Sequence, residues 1–398
     1  MMHAIVKIVE IVALLGVVSS SLYYLLCLWS AAKFLRQHET ESPVHPEQSD
    51  ETEPIIILPP ISILKPLKGA DPEMYECFRS HCQQDYPQYE IIFGVSDPKD
   101  PAVESVKKLQ REFPDRAVHL VICSEILGSN VKVSNLAQML NAARYDHFIV
   151  NDSDIRVEAD YLARVTAPLA EEKVGLVTCL YRGIAGPTLG SRLEALGIST
   201  DFCPSVLAAR QLEGGIRFGL GSTLAFRRSE LEKIGGFLSF VDYLADDYEI
   251  GKRIAGQGFS VEISDVVVET LLPAYSLRDF LAHQLRWARG VRDARAGGYF
   301  GLAFTFGVLW SLVALIAGHG ALWAWAGFAV VLALRLAVAL MIGGNILRDA
   351  QALKYAWLIP LRDLFAVVVW IASFAGHTVT WRGDRFRLKD GKLRKISP

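Results

Sequence analysis

The sequence lacks the glycine-rich loops that most often bind nucleotide phosphates. It has no GxxxxGK[ST] segment and no GxGxxG fingerprint, so neither a P-loop NTPase nor a dehydrogenase is supported. Cysteine is sparse, with six in 398 residues and no CxxC pair, which argues against a disulfide framework or a zinc site. The formal net charge of −2 gives no general attraction for nucleic acid. We therefore expect free thiols in a reducing compartment and no nucleic-acid partner.

Hydrophobic residues, in contrast, are abundant. They make up 51% of the chain, and the mean hydropathy is +0.26, which is high for a soluble protein of this size. Residues 11–32 carry no charge and are followed by Lys33 and Arg36. This run is as long as a bilayer core requires, exceeds a usual signal-peptide core, and has no small-residue cleavage site before the basic flank. We predict a transmembrane anchor over 1–36, with the next domain in the cytoplasm.

Two further apolar runs near the C-terminus predict a helical hairpin in the membrane. They occupy about 300–318 and 321–342 and are joined by Gly318-His319-Gly320. Arg335 lies inside the second run, where a charge is costly unless it pairs or faces a polar cavity. Snorkelling, pairing with another charge and a lipid head-group pocket are all open interpretations.

A last apolar run, about 355–378, is interrupted by Pro360, Arg362 and Asp363. If this run crossed completely, the basic segment 382–398 would lie outside, against the positive-inside rule. We therefore expect a re-entrant last segment within the membrane-helix region 299–381, followed by a basic cytoplasmic tail.

Residues 37–60 are polar, acidic and proline-containing, and they predict a linker. Strand and helix patterns then alternate, which favours an α/β domain over 61–274 with a mostly parallel sheet and helices on both faces. The predicted strands are 61–64, 90–95, 119–123 and 147–150, and the predicted helices are 72–84, 102–113 and 134–143. Ligands in such sheets bind at the carboxyl ends of the strands.

Two acidic segments in this domain are candidates for chemistry. Asp152 and Asp154 follow the predicted strand 147–150, where paired carboxylates can hold a hard divalent cation together with diphosphate oxygens. Asp246, Asp247 and Glu249 begin a helical pattern, where they could simply favour the helix start. One of them could instead act as a general base, because repulsion and partial burial raise a carboxylate pKa.

A basic amphipathic segment precedes the membrane hairpin. The segment 275–298 contains His283-Gln284-Leu285-Arg286-Trp287 and is typical of an interfacial helix. Its basic face could serve only to contact anionic lipid. Alternatively, Arg286 could bind a donor phosphate and Trp287 could form an apolar wall beside an acceptor.

Taken together, these stretches resemble the inverting GT-A glycosyltransferases, and more closely the ceramide glucosyltransferase family and its bacterial relatives in hopanoid biosynthesis. The resemblance runs from ISILKPLKG at 61–69 to WRGDRFRL at 381–388. That family is described by three spaced aspartates and an (R/Q)xxRW motif. The resemblance implies a GT-A, Rossmann-like nucleotide-sugar-binding domain between an N-terminal transmembrane helix and a C-terminal cluster of membrane helices.

The resemblance assigns roles to the aspartates. Asp97 matches the first, expected near the nucleotide, and Asp152 matches the second. Asp247 matches the third, which the family uses as base, and Asp154 completes a DxD that animal ceramide enzymes lack. The other residues expected to bind the nucleotide sugar are Lys65, Lys132, Asn135, Gly221, Ser222 and Arg286.

The motif on the basic helix departs from the family at one position. Arg286 and Trp287 match its RW pair, but His283 occupies the position of the leading Arg or Gln, and Gln284 lies one residue later. Both side chains are candidates for that role. Together with Trp287 and Asp246 they are expected to bind the acceptor.

The implied function is a membrane glycosyltransferase. It would transfer glucose or N-acetylglucosamine from a UDP-sugar to a hydroxyl of a membrane lipid, with inversion, giving a β-linked glycolipid. Mg²⁺ or Mn²⁺ would be held by Asp152 and Asp154. Stretches such as LKPLKGADPEMYECF and LAHQLRW look nearer to the hopanoid-type members than to the ceramide enzymes of sphingolipid metabolism. The expected location is the bacterial inner membrane, with the catalytic domain in the cytoplasm.

Three alternatives are open at this point. A processive polysaccharide synthase shares the three-aspartate pattern, although the membrane segments are few for a polymer channel. A polyprenyl-phosphate glycosyltransferase is disfavoured, because the RW element and the basic helix belong to the other group. A non-catalytic lipid-binding scaffold would not need the complete set of carboxylates.

Overall fold

The computed structural model describes residues 2–40, 58–71, 73–381 and 383–396. The chain divides into two units, which we call the sheet unit (Lys33–Tyr181 and Glu213–Leu271) and the helical unit (Met1–Ala32, Arg182–Leu212 and Leu272–Pro398). The first helix continues to Thr40, past the predicted end of the anchor, and most of the predicted linker lies at 41–57, outside the described residues.

The α-helices are α1 (Met2–Thr40), α2 (Met74–Cys82), α3 (Ala102–Glu112), α4 (Val131–Met139), α5 (Tyr161–Thr166), α6 (Leu189–Gly197), α7 (Cys203–Leu212), α8 (Arg228–Lys233), α9 (Asp246–Gly256), α10 (Leu277–Ala294), α11 (Ala296–Gly301), α12 (Gly307–Ala317), α13 (Leu322–Val338), α14 (Ala350–Lys354) and α15 (Ile359–Ser373). The strands are β1 (Ile61–Leu67), β2 (Tyr89–Val95), β3 (Ala117–Ile122), β4 (His147–Val150), β5 (Ile155–Arg156), β6 (Val174–Ile184), β7 (Leu224–Arg227), β8 (Ser260–Leu271), β9 (Thr378–Trp381), β10 (Asp384–Lys389) and β11 (Lys392–Lys395). π-Helical turns follow α6 at Ile198–Phe202 and α13 at Ala339–Ile346.

An eight-stranded sheet forms the sheet unit, in the order β3-β2-β1-β4-β7-β6-β8-β5. Strands β3, β2, β1 and β4 are parallel. Every residue of β1 and β2 is buried, as expected for strands covered by helices on both faces. The predicted parallel α/β arrangement is confirmed for this half.

The other half of the sheet contains antiparallel pairs, which the alternation of strands and helices did not predict. Strand β7 pairs antiparallel with both β4 and β6, and β5 pairs antiparallel with β8. These strands lie far apart in sequence, and their pairing depends on long-range contacts rather than on a local pattern. The sheet is therefore mixed.

Long apolar helices dominate the helical unit. Three of the described helices are long and apolar enough to cross a membrane: Met2–His38, Leu322–Ile346 and Ala356–Ser373. A fourth crossing is available if the pair Ala296–Thr305 and Gly307–Ala317, bent by 49°, is one span. The break thus lies in the first run of the predicted hairpin, whereas the last run, expected to be re-entrant, is a continuous helix.

Arg335 is paired inside this unit. Its side chain is buried, and it donates to both carboxylate oxygens of Asp363, at 3.0 and 2.8 Å. It also contacts Asp201 at 2.9 Å and donates to the backbone carbonyl of Thr200. Of the open interpretations, pairing with another charge is confirmed.

The basic C-terminal segment is folded as well. Strands β9, β10 and β11 form an antiparallel sheet in the order β11-β10-β9. Lys389 and Lys392 pair across the two-residue loop Asp390-Gly391, in which both residues have positive φ (54° and 76°). Asp-Gly is the dipeptide that favours this hairpin turn, because glycine adopts positive φ without strain. The predicted tail is thus largely β-sheet.

Candidate functional site

The first site residues follow neighbouring parallel strands. Strands β2 and β4 flank β1, so the segments that follow their ends, with Asp97 and Asp152, emerge at the same edge of the sheet. Asp97 is exposed and accepts a hydrogen bond from the Lys99 amide at 2.8 Å. This edge is where the fold predicts a ligand.

Asp154 contacts the neighbouring strand β8. One Asp154 oxygen accepts a 2.7 Å hydrogen bond from Thr270 on β8. Burial, followed by repulsion from Asp152, raises the pKa of Asp154 to about 6. The charged form of Asp154 is therefore poorly compensated, and a cation at this position would stabilise it.

Lys132, in the first turn of α4, neutralises part of this charge. Its ammonium lies 2.9 Å from Asp152 Oδ1 and 3.2 Å from Asp246 Oδ2. Burial alone would lower its pKa, but Asp152, Asp246 and Asp247 outweigh that effect, so the pKa of Lys132 is raised. The ammonium therefore lies between Asp152, which follows β4, and Asp246 at the start of α9. We call Asp152, Asp154, Asp246 and Asp247 the acidic cluster.

The carboxylate of Asp247, at the start of α9, lies close to that of Asp152. A Cβ added at Gly221 would lie 3.2 Å from both Asp152 Oδ2 and Asp247 Oδ2, so these oxygens are no more than twice that distance apart. Burial and the neighbouring Asp246 raise the pKa of Asp247 to about 6, while Lys132 opposes the rise. A carboxylate with that pKa is charged at neutral pH and is still basic enough to accept a proton.

The loop containing Gly221 is fixed against α9. The Gly219 amide donates to the Asp247 carbonyl at 3.2 Å, and a Cβ on Gly251 would clash with the Phe218 and Gly219 backbone. The Ser222 hydroxyl donates to the Cys179 carbonyl on β6 at 2.9 Å. Gly221 therefore forms the open surface of the loop, while the Ser222 hydroxyl points into the sheet.

Lys65, on β1, is completely buried. Its ammonium donates to the Asp152 carbonyl at 3.1 Å and lies 3.4 Å from His81 Nε2. Burial lowers the pKa of Lys65 to about 8. In this position Lys65 supports the Asp152 backbone and does not face the site opening.

Several buried polar residues support the site and were not predicted from the sequence. Asn151 bonds to His81 at 3.2 Å and donates to the Ser222 carbonyl at 2.7 Å, so it joins β4 to the glycine loop. Asn130 caps α4 and donates to the Tyr243 carbonyl at 2.7 Å. The helix-capping preference of asparagine was the only signal that could have identified Asn130.

The predicted nucleotide-side residue Asn135 is almost completely buried on α4. It accepts a 2.9 Å hydrogen bond from Ser96 and donates to the Gly94 carbonyl at 3.4 Å. Asn135 thus fixes the end of β2, from which Asp97 emerges. Among the described residues, no three His, Cys, Asp or Glu side chains converge as a ready-made metal site.

The RW motif lies in the helical unit, on α10. Buried Glu194 of α6 accepts hydrogen bonds from Gln284 at 3.0 Å and lies 3.1 Å from His283 Nδ1. Gln284 in turn accepts from Arg362 at 3.1 Å. Both candidates for the leading motif position thus contact one carboxylate, and Gln284 also bonds to Arg362 of α15.

Trp287 packs on neighbouring aromatic rings. Its ring centroid lies 5.9 Å from Phe202, in the π-helical turn after α6, and 5.5 Å from His283. Two basic residues of α10 bond to backbone carbonyls near the end of α15 instead of forming a basic surface. Arg289 donates to the Thr378 carbonyl at 2.5 Å, and buried Arg292 donates to the Ser373 and Gly376 carbonyls at the end of α15.

Known proteins resemble the chain over nearly its whole length. The sequence profile of glycosyl transferase family 21 matches residues 12–394. Ceramide glucosyltransferase 3 of Caenorhabditis elegans is 26% identical over 350 residues, covering 84% of this chain and 74% of that protein. Ceramide glucosyltransferase 1 of the same organism is 24% identical over 362 residues, covering 86% and 75%.

A solved structure has the same fold. Mannosyltransferase PcManGT from Pyrobaculum calidifontis, in complex with GDP-Man and Mn²⁺, superposes with a TM-score of 0.50 at 19% identity. The superposition covers 93% of this chain and 99% of that one. The predicted GT-A fold is therefore confirmed. Because the sequence profile of the family matches residues 12–394, the chain belongs to glycosyl transferase family 21.

Proposed function

We propose that the protein transfers a hexose from a UDP-sugar to a hydroxyl group of a membrane lipid, with inversion at the anomeric carbon and Asp247 as the base. The observation that carries the proposal is the position of Asp247. Its carboxylate and that of Asp152 both lie next to Gly221, and the pKa of Asp247 is raised to about 6. Such a carboxylate is suited to accept a proton from an alcohol as that alcohol becomes a nucleophile.

The reaction is written as one displacement. The lipid O–H bond breaks as its proton moves to Asp247, and the oxygen forms a bond to the anomeric carbon. The bond from that carbon to the diphosphate breaks on the opposite face, and UDP leaves with the electron pair. Attack opposite the leaving group inverts the configuration, so an α-linked donor gives a β-linked glycolipid.

The site residues fit a divalent cation on grounds of charge. Carboxylates outnumber ammonium groups before the donor diphosphate adds further negative charge: Asp152, Asp154, Asp246 and Asp247 against Lys65 and Lys132. Asp152 and Asp154 would hold Mg²⁺ or Mn²⁺, with diphosphate oxygens as further ligands. When bound, the cation would stabilise the charge of the departing diphosphate. The Mn²⁺ and GDP-Man bound by PcManGT support this assignment.

Two lipid acceptors, a ceramide and a hopanoid, have support. The ceramide glucosyltransferase relatives support glucose and ceramide, whereas the hopanoid-type stretches of the sequence support N-acetylglucosamine and a hopanoid. We propose the inner membrane of a bacterium as the location, with the sheet unit in the cytoplasm, where UDP-sugars are made. Mass spectrometry of lipids from cells with and without the gene would identify the glycolipid that is lost.

The test of the base uses Asp247→Asn. This change keeps the shape of the side chain but removes its ability to take a proton. We expect a loss of turnover of at least about a hundredfold, with UDP affinity by calorimetry within a few fold of wild type. The matched control is Glu249→Gln on the same helix, because Glu249 pairs with Lys252 at 3.1 Å. Substantial glycolipid synthesis by Asp247→Asn would remove Asp247 as the base.

A further inference from the structure

The small C-terminal sheet has two faces of opposite character. Side chains of Val379, Phe386, Leu388 and Leu393 are buried on one face. The other face carries exposed basic residues on β10 and β11: Arg385, Arg387, Lys389, Lys392 and Arg394. This alternation follows the two-residue period of a strand, so the basic residues form a flat array. We call this array the basic face.

The strand register brings like charges together on the basic face. Arg387 lies directly opposite Arg394, and Lys389 lies directly opposite Lys392. Like charges opposite each other destabilise a sheet. Within the described part of the chain, Arg385, Arg387, Lys389 and Arg394 form no ion pair, whereas Lys395 pairs with Asp384 at 2.9 Å. The Arg387–Arg394 pair is therefore a repulsive arrangement that an anionic partner would relieve.

The chain holds the small sheet close to the end of a candidate membrane span. Strand β9 begins at Thr378, five residues after the candidate span Ala356–Ser373 ends. Five residues reach at most roughly 17 Å. Arg289 and Arg292 of α10 bond the carbonyls of this connection, and the Gly391 amide donates to Asp293 of the same helix. The sheet is thus anchored at the end of the membrane helix rather than on a flexible tether.

We propose that the basic face binds the head groups of anionic phospholipids in the leaflet where α15 ends. Guanidinium groups match phosphate oxygens in geometry as well as charge, and juxtamembrane basic residues are attracted to anionic leaflets. A nucleic acid is disfavoured as the occupant, because the chain has a net charge of −2 and the small sheet directly follows a candidate membrane span. This inference does not depend on the sugar donor or the acceptor.

Two opposite effects of neutralising the face follow. In a zwitterionic bilayer, Arg387→Gln with Arg394→Gln removes repulsion, so the thermal midpoint should stay equal or rise. In an anionic bilayer, the wild-type protein should gain stability from bound lipid, and the double variant should lose most of that gain. Each basic residue near an anionic surface contributes about fivefold in affinity, so two changes should weaken binding by about 25-fold.

The experiment uses the full chain purified in nanodiscs of phosphatidylcholine, alone or mixed with phosphatidylglycerol. The thermal midpoint of wild type should rise with the fraction of phosphatidylglycerol, and added salt should reduce the rise. The double variant should need much more phosphatidylglycerol for the same rise. The control is Lys107→Gln with Lys108→Gln, two exposed positions on α3 with the same change in charge, and it should respond like wild type.

Three outcomes would overturn the proposal. The first is an equal response of the double variant and wild type to phosphatidylglycerol. The second is an equal loss in the α3 control, which would indicate a general charge effect. The third is equal stabilisation by inorganic phosphate in phosphatidylcholine nanodiscs, which would indicate a site for free phosphate. None of these outcomes bears on Asp247 or on sugar transfer.

Discussion

Lys132 is a cation that contacts the acidic cluster and lowers the pKa of Asp247. Its ammonium contacts Asp152 and Asp246 and lowers the pKa of Asp247, which burial and Asp246 raise to about 6. If Asp247 is the base, kcat/KM should fall as the pH drops below about 6. Lys132→Met should move this acid limb to higher pH, because removing a positive charge favours the protonated carboxyl. A pH–rate profile measures the shift.

Lys132→Arg is the matched control, because it keeps the positive charge and should leave the acid limb near its wild-type position. One pKa unit corresponds to a tenfold change in the protonation equilibrium, so the shift is readable even if both variants are slow. Lower activity in Lys132→Met with an unmoved acid limb would mean that Lys132 acts on the donor and not on Asp247.

Gly221 tests how closely the two carboxylates must approach. In Gly221→Ala the new methyl lies 3.2 Å from oxygens of Asp152 and Asp247, so both side chains must move by a few tenths of an ångström. We expect kcat to fall by about tenfold, because small displacements of reacting groups are costly. The control is Gly256→Ala at the end of α9, where a Cβ has open space. Equal kcat in both alanine variants would contradict this role for Gly221.

At the scale of elements, α13 and α15 are joined by a buried ion pair. Arg335 is the principal partner of Asp363, so Arg335→Leu leaves that carboxylate buried without its counter-charge. Breaking one side of such a pair costs about 3–5 kcal/mol, whereas replacing both partners with apolar residues is often nearly neutral. The double variant Arg335→Leu with Asp363→Leu should therefore have a higher thermal midpoint than Arg335→Leu alone. An additive loss in the double variant would show that Asp201 and Thr200, not Asp363, account for most of the effect.

Elements with a local sequence pattern could be predicted, whereas pairings between distant segments could not. Strands β1, β2 and β4 were predictable, because each is a short apolar run ending in polar residues. Asp152 and Asp154 were predictable as candidates from their places after a strand, whereas the family resemblance singled out Asp247 from the carboxylates at a helix start. Pairing of β7 with β4 and of Arg335 with Asp363 joins distant segments, and no local period encodes it. The C-terminal hairpin did have a local signal, the Asp390-Gly391 turn, but its many basic residues favoured a tail.

For the whole molecule, the acidic cluster should couple stability to pH and to a bound metal. The pKa of Asp154 is raised from 3.8 to about 6 in the folded protein, so the folded state binds the proton more tightly than the unfolded state. Without metal, this group therefore adds stability as the pH falls through about 6 and removes it as the pH rises. Asp154→Asn imitates the neutral form. Its thermal midpoint should exceed that of metal-free wild type at pH 7.5, and the difference should shrink at pH 5.5.

A divalent cation should reverse this order, because it binds the charged carboxylate and competes with the proton. Mn²⁺ should raise the midpoint of wild type more at pH 7.5 than at pH 5.5, and it should raise that of Asp154→Asn much less at either pH. Asp115→Asn, at an exposed position of the same unit, is the control and should follow wild type throughout. If Mn²⁺ stabilised Asp154→Asn as strongly as wild type at pH 7.5, Asp154 would not be a ligand of the cation.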